Sequence, residues 1–322
     1  MAPLPFNLPL VEFLADHRNP FLTQLFLAAS FLGSSTGYIL IATLIYVAWD
    51  KKLAVRLSAL MLLTSSLNGI LKLVIRNPRP FVRQGTWLAK WAVSPQSAAS
   101  LAAEYSTPSG HAMASSSFYT YLCASIKTRA VRVAGVLAIL LIGISRPYLG
   151  VHFAEDVLLG WACGLALALV FFRYTPALNA AWSRMTYLRQ IGAAVAGCFA
   201  MWLLTVALNG LRADGQPRAF LAEAGFLTGI VIARPLELRM VNFDPRSSSA
   251  VNKALRYILS LVLVIATLSL FGILSSAVGA LSPQLGYLSE YVRYTAAGFV
   301  SIFLAPLLFT RIGLAGRAPA PQ

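Results

Sequence analysis

A chain of 322 residues that is 58% hydrophobic and only 11% charged, with mean hydropathy +0.70, is too apolar for a water-soluble domain, where about a quarter of residues are charged. Its 26 basic and 11 acidic residues leave a net charge of +15, but the basic residues lie scattered at the ends of apolar runs rather than in a stripe, which argues against a nucleic-acid partner. Runs of about 20 apolar residues recur along its length, each enough to cross a bilayer, so the expected fold class is all-α, a polytopic helical membrane protein with about nine transmembrane helices.

In chain order, residues 1–32 form an N-terminal segment without a basic opening, and Glu12 and Asp16 fall inside it, so it does not read as a cleavable signal. Leu10, Val11, Phe13 and Leu14 suit a short interfacial helix. Residues 20–32 either stand as a separate short helix, broken by Gly33, Ser34 and Ser35, or join the first span. Spans are expected over 33–49, 54–75, 110–125, 131–146, 153–173, 189–210, 219–234, 256–281 and 292–310. Cys123, Cys163 and Cys198 all lie in apolar runs without a CxxC pair, which indicates packing residues and no zinc or disulfide framework.

The loops alternate in charge. One side collects 16 of the 26 basic residues, from Lys51, Lys52 and Arg56 through Lys127, Arg129 and Arg132 to Arg311 and Arg317. The positive-inside rule puts that side and the C-terminus in the cytoplasm, and the N-terminus on the opposite face. The opposite face also carries a long loop, about 77–109, with Trp87, Trp91 and Tyr105 among its charges. It reads equally as a headgroup-layer anchor or as a lid over a lateral entrance for an amphiphile.

Three polar clusters stand on that opposite face. The first, KLVIRNPRP at 72–80, ends the second span: Lys72 and Arg76 share a helix face, and Pro78 and Pro80 stop the helix with Arg79 in the loop. By itself it suits snorkelling anchors. The second, STPSGHAM at 106–113, opens the third span with Ser109 as N-cap and Gly110 allowing close approach to the backbone, a suitable anion site at a helix N-terminus. Capping does not require His111. The third, SRPYLGVHFAED at 145–156, places a turn at Gly150 before His152, with Asp156 one helical turn further on. A carboxylate on one ring nitrogen fixes the tautomer and frees the other nitrogen for attack, although such a pair also serves to hold a helix start. Taken together, three cations (Lys72, Arg79, Arg146), two histidines and a helix N-terminus at one membrane depth describe a receptor for a multiply charged oxyanion, with phosphate the obvious one.

The order Lys72-x6-Arg79-Pro80, then Pro108-Ser109-Gly110-His111, then Ser145-Arg146-x5-His152-x3-Asp156, resembles the tripartite signature of the type 2 phosphatidic acid phosphatase (PAP2) superfamily, with no signature position departing. That superfamily includes membrane lipid phosphatases, glucose-6-phosphatases, soluble bacterial acid phosphatases and vanadium haloperoxidases. The resemblance covers roughly residues 54–173. It implies a PAP2-like catalytic core over 33–175, with additional transmembrane helices over 176–322. It implies further that His152 attacks phosphorus, Asp156 orients it, and His111 acts as acid and then base. Lys72, Arg79, Ser109, Gly110 and Arg146 are then the phosphate-binding residues. No cofactor and no metal are expected, because carboxylates around the clusters are too few for a two-metal site. The expected substrate is a phosphorylated lipid drawn from the outer leaflet, with membrane lipids as surroundings. The expected location is a bacterial inner membrane, since Arg outnumbers Lys and no N-x-S/T acceptor occurs. The alternatives are a glucose-6-phosphatase-like hydrolase of a soluble sugar phosphate, a haloperoxidase-like vanadate enzyme, and a lipid transporter or scaffold with a vestigial site.

Overall fold

The computed structural model describes residues 4–82, 101–102 and 104–318. Among these residues the regular structure is helical, and the β-type pairing is an isolated antiparallel bridge between Phe243 and Arg317. The helices are α1 (Leu8–Asp16), α2 (Pro20–Leu32), α3 (Ser35–Ala48), α4 (Lys51–Ile75), α5 (Gly110–Ile126), α6 (Arg129–Tyr148), α7 (Ala154–Ser183), α8 (Tyr187–Leu208), α9 (Gln216–Leu236), α10 (Ala250–Leu281), α11 (Pro283–Phe299) and α12 (Ala305–Arg311). Many starts are written locally. Asn7, Asn19, Ser109, Thr128, Ser249 and Ser282 each accept a hydrogen bond from a first-turn N–H, and proline stands in the first turn of α1, α2, α11 and α12.

Seven helical stretches are long and apolar enough to cross a membrane: Lys51–Val82, Arg129–Tyr148, Ala154–Ser183, Tyr187–Leu208, Gln216–Val241, Ala250–Ala280 and Gln284–Arg311. The pair α2 and α3, bent by 60°, is a further candidate, so residues 20–32 are a separate helix that breaks before Ser35. The span expected at 110–125 is α5, a helix of 17 residues and so about 25 Å long. The nine expected segments therefore each find a helix, with α5 shorter than a full crossing and the first one bent. The chain is a multi-pass helical membrane protein.

The chain divides into two compact units, one of residues 1–39, 63–176 and 205–216 and the other of 40–62, 177–204 and 217–322. In the first unit, small residues bring helix backbones together. A Cβ added at Gly160 or Gly164 of α7 would lie 2.8 Å from the Ser109 carbonyl oxygen and 2.2 Å from that of Met113, so the start of α5 rests directly on α7. Gly143 of α6 meets the Trp161 ring in the same way, at 2.1 Å, and Gly33 meets Ile142 at 2.4 Å. A cluster of Phe81, Tyr148, Leu149 and Val151, joined by Leu22 and Phe26, packs around the turn between α6 and α7.

In the second unit, Gly225 and Gly229 of α9 press on the Tyr291 and Thr295 carbonyls of α11. The end of α9 passes into a π-helical turn, Glu237–Val241, and another, Val300–Leu304, joins α11 to α12. Glu237 is fully buried there and pairs with Lys51 at 2.8 Å and with Arg234. Lys51 also donates to the Phe243 carbonyl at 2.6 Å, and buried Arg256 donates to the Asp244, Pro245 and Ser247 carbonyls. The charges are thus paired or spent on backbone acceptors, as burial requires.

Candidate active site

The three clusters meet within the first unit. At the end of α4, the Arg76 N–H bonds back to the Lys72 carbonyl at 2.9 Å, and Arg76 takes a left-handed conformation, φ 54°. Its guanidinium donates to the Leu73 and Leu208 carbonyls, both at 2.8 Å, so Arg76 ends the helix and stays out of the site. Lys72, one turn earlier, is buried and reaches the Glu104 carboxylate at 3.0 Å. The chain then turns at Pro78 and Pro80 and buries Arg79, whose Nη1 donates to the Val151 carbonyl at 3.0 Å and to His152 Nε2 at 3.1 Å. Its Nη2 donates to the same Glu104 oxygen at 3.2 Å.

Ser109 caps α5: its hydroxyl accepts from the Ala112 N–H at 3.5 Å, and its own N–H donates to the Asp156 carbonyl at 3.0 Å. The N–H groups of Gly110 and His111, in the first turn, have no acceptor within an α-helix. Gly110 cannot carry a side chain comfortably, because a Cβ would lie 3.1 Å from Asn68 Oδ1. Asn68 in turn donates to the Pro108 carbonyl at 3.1 Å. His111, half-buried, lies against Gly33, with Cδ2 3.3 Å from where a Cβ would stand. At the end of α6, buried Arg146 donates to the Ser30 hydroxyl at 2.5 Å. The chain turns through Gly150, φ 77°, where a residue bearing a Cβ would be strained.

His152 and Asp156 come together differently from the helical turn expected. The helix begins only at Ala154, so His152 lies in the turn before it. Asp156 reaches back instead, accepting from the Phe153 N–H at 2.8 Å in the manner of a capping box. The carboxylate is fully buried and also accepts from the Ser106 and Thr107 hydroxyls, both at 2.5 Å. Its separation from His152 Nδ1 is 3.4 Å, and the Ser106 hydroxyl, 3.2 Å from the same nitrogen, lies beside the pair and bonds to both.

A guanidinium only donates, so Nε2 of His152 accepts from Arg79, and the ring proton sits on Nδ1 facing Ser106 and Asp156. This is the tautomer a nucleophilic Nε2 needs. Burial first, and then Arg79, Arg146 and Lys72, hold the His152 pKa well below its usual value. Electrostatic interaction also links the His111 ring to His152 and to the same three cations. Burial would raise the Glu104 pKa, but Lys72 and Arg79 outweigh it and hold the carboxyl below its usual range. Nε of Arg79 and Nε of Arg146 are buried without a hydrogen-bond partner among the described residues. Together with Lys72 they make a set of donors suited to the equatorial oxygens of a phosphoryl group.

Lys72, Arg79, Arg146, His111, His152, Asp156, Ser109 and Gly110 are thus gathered at one end of one unit. Reading the sequence missed Ser106, Thr107 and Asn77 as the brace of Asp156, with Asn77 bonding the Thr107 hydroxyl at 3.0 Å and its carbonyl accepting from the Ser106 N–H at 2.7 Å. Ser106 and Thr107 directly precede Pro108, so their position was a usable signal. Nothing in the sequence ties Asn68 to Pro108 or Ser30 to Arg146. Trp87 and Trp91, expected in an anchoring or lid loop, lie outside the described residues.

Residues 53–180 match the PAP2 superfamily, and residues 221–317 match the transmembrane extension of PAP2 superfamily phosphatases. Between them the matches cover more than half of the chain, which belongs to the PAP2 superfamily. Phosphatidylglycerophosphatase B of Bacillus subtilis (strain 168) is 41% identical over 73 residues, which are 20% of this chain and 36% of that protein. Among solved structures, LpxE of Aquifex aeolicus aligns with TM-score 0.43 and 22% identity, over 52% of this chain and 95% of that one. The first transmembrane PAP2 type phosphatidylglycerolphosphate phosphatase from Bacillus subtilis aligns with TM-score 0.41 and 24% identity, over 53% and 84%.

Proposed function

We propose that this chain is an integral membrane phosphatase that removes the terminal phosphate of a phosphorylated lipid through a phosphohistidine intermediate, without a metal. The observation that carries the proposal is the His152 ring, with Nδ1 turned to Ser106 and Asp156 and Nε2 turned into the field of Lys72, Arg79 and Arg146. The proposed catalytic core lies within residues 33–175, with 176–322 as additional membrane helices.

In the first step Nε2 of His152 forms a bond to phosphorus while the bond to the lipid oxygen breaks. Asp156 stabilises the imidazolium that forms, and protonated His111 gives its proton to the departing alkoxide. In the second step neutral His111 takes a proton from water as the water oxygen attacks phosphorus, and the P–N bond breaks to return His152 and inorganic phosphate. The cations Lys72, Arg79 and Arg146, with Ser109 and the N–H of Gly110, hold the equatorial oxygens. Phosphoryl transfer depends mainly on this positioning and charge stabilisation.

A lipid substrate is supported by the membrane setting and by the partial similarity to a phosphatidylglycerophosphatase. The excess of basic residues on the other set of loops favours a periplasmic site and a cytoplasmic C-terminus. The test is phosphate release by detergent-solubilised protein from phosphatidic acid, phosphatidylglycerophosphate, a sphingoid-base phosphate and soluble sugar phosphates, with His152→Ala beside the wild type. The expected result is turnover of lipid phosphates and loss of both turnover and phosphoenzyme trapping in the variant. Preference for a sugar phosphate would overturn the lipid reading, and an active His152→Ala the mechanism.

A further inference from the structure

Glu104 belongs to none of the three motifs, yet its carboxylate occupies the cations that the phosphate reading assigns to substrate. One oxygen, Oε2, lies 3.0 Å from Lys72 Nζ and 3.2 Å from Arg79 Nη2. The partners differ in exposure: the Lys72 and Arg79 side chains are 7% and 2% exposed and that of Glu104 is 42%. The cations are thus fixed inside, and the acid meets them from the open side. Two residues on, the Ser106 N–H is anchored to the Asn77 carbonyl, so the carboxylate can leave without disturbing the brace around Asp156. Of the two carboxylates here, Asp156 is committed to Ser106, Thr107 and Phe153. Glu104 is therefore the one that an incoming anion can replace.

Resting on the phosphatase reading above, we infer that Glu104 is an internal competitor for the phosphate site. It neutralises Lys72 and Arg79 between turnovers and must be displaced by any phosphate that binds. With Glu104 seated and His111 neutral, three cations and two carboxylates leave the pocket one charge positive. With it displaced, the pocket is two positive; a phosphomonoester dianion cancels that charge and so allows His111 to take up the proton it gives to the leaving oxygen. A phosphodiester monoanion merely exchanges one charge for another. The competition weakens every anion alike, and its use is a threshold. The diester headgroups that crowd a membrane fall below it, a monoester dianion clears it, and product phosphate is released.

Binding of inorganic phosphate and of dimethyl phosphate to the full-length protein in detergent, followed by isothermal titration, gives a readout free of turnover. Glu104→Gln keeps the shape and removes the charge. It should bind both anions about tenfold more tightly and by the same factor, since each is relieved of the same competitor at a half-exposed position. Glu104→Ala should shift binding in the same direction. In the activity assay, with substrate kept well below the KM of each protein, dimethyl phosphate should inhibit Glu104→Gln at about a tenth of the concentration that the wild type requires. Unchanged or weaker phosphate binding in both variants would make Glu104 a scaffold for the cations and overturn the inference. A gain larger for phosphate than for dimethyl phosphate would mean that the carboxylate stays beside the bound ligand, and would overturn displacement. If the wild type binds neither anion and Arg79→Met changes nothing, the phosphate site itself fails. If Arg79→Met abolishes binding while the Glu104 variants do not tighten it, only this inference falls.

Discussion

Asp156→Asn separates the charge of the carboxylate from its shape. In the structure Oδ2 accepts from the Ser106 hydroxyl and the Phe153 N–H, while Oδ1 accepts from Thr107. An asparagine can keep its oxygen toward Ser106 and Phe153 and present its amide to Thr107, whose hydroxyl oxygen also accepts. The fold of the site is then retained and a negative charge is lost 3.4 Å from His152 Nδ1. At an effective dielectric constant of about 20, the attraction between that charge and an imidazolium at this distance is about 5 kcal/mol. In the proposed mechanism His152 becomes positive only as the P–N bond forms, so the loss should fall on the transition state, a decrease in kcat of roughly three to four orders of magnitude. The assay is steady-state phosphate release from the preferred lipid substrate, with inorganic phosphate titrated in parallel to show that the anion site is intact. A kcat within tenfold of wild type, with phosphate binding unchanged, would refute the assignment of Asp156 as the stabiliser of the nucleophile.

Ser106→Ala removes the hydroxyl that bonds to both His152 and Asp156 and should lower kcat by about ten- to a hundredfold with little change in KM, the scale of one hydrogen bond to a charged group. Because His152 has a depressed pKa, the unfolded chain takes up a proton below about pH 6.5 that the folded protein refuses, so stability falls as pH drops below that value. The thermal midpoint should decline through that window, and less steeply in His152→Gln. Gly164→Val would drive a side chain into the Met113 carbonyl, costing about 1–3 kcal/mol and displacing α5, which carries His111, so both the thermal midpoint and kcat should fall. In the second unit, Glu237→Gln strands Lys51 and Arg234 together and should cost about 3–5 kcal/mol; Lys51→Met, which leaves Glu237 paired with Arg234, should cost less when the two are compared by denaturation in the same detergent. Activity should persist in EDTA and be inhibited by vanadate. The acids at the site are committed to Lys72 and Arg79 or to Ser106, Thr107 and Phe153, and among the described residues no group of three or more His, Cys, Asp or Glu is arranged to hold a metal.

The sequence by itself determined the solvent, the helices and the chemical vocabulary. Long apolar runs have no stable alternative in a bilayer but to close their backbone hydrogen bonds within a helix, so composition and length were enough to find each segment. Caps and breakers such as Ser109, Gly150 and Pro78 act on immediate neighbours, which is why the helix boundaries around the site were legible, as was the resemblance carried by the motifs. What the chain could not disclose by local pattern were the contacts between residues far apart. The hydroxyl brace of Ser106 and Thr107 on Asp156, the Asn68 support of Pro108 and the Ser30 contact to Arg146 join positions separated by about fifty, forty and more than a hundred residues. Only glycine-mediated packing of α5, α6 and α7 decides which side chains meet there. The seating of Glu104 on two buried cations was illegible for the same reason: a single acid in a loop carries no periodicity, and its partners are fixed by where α4 ends in space.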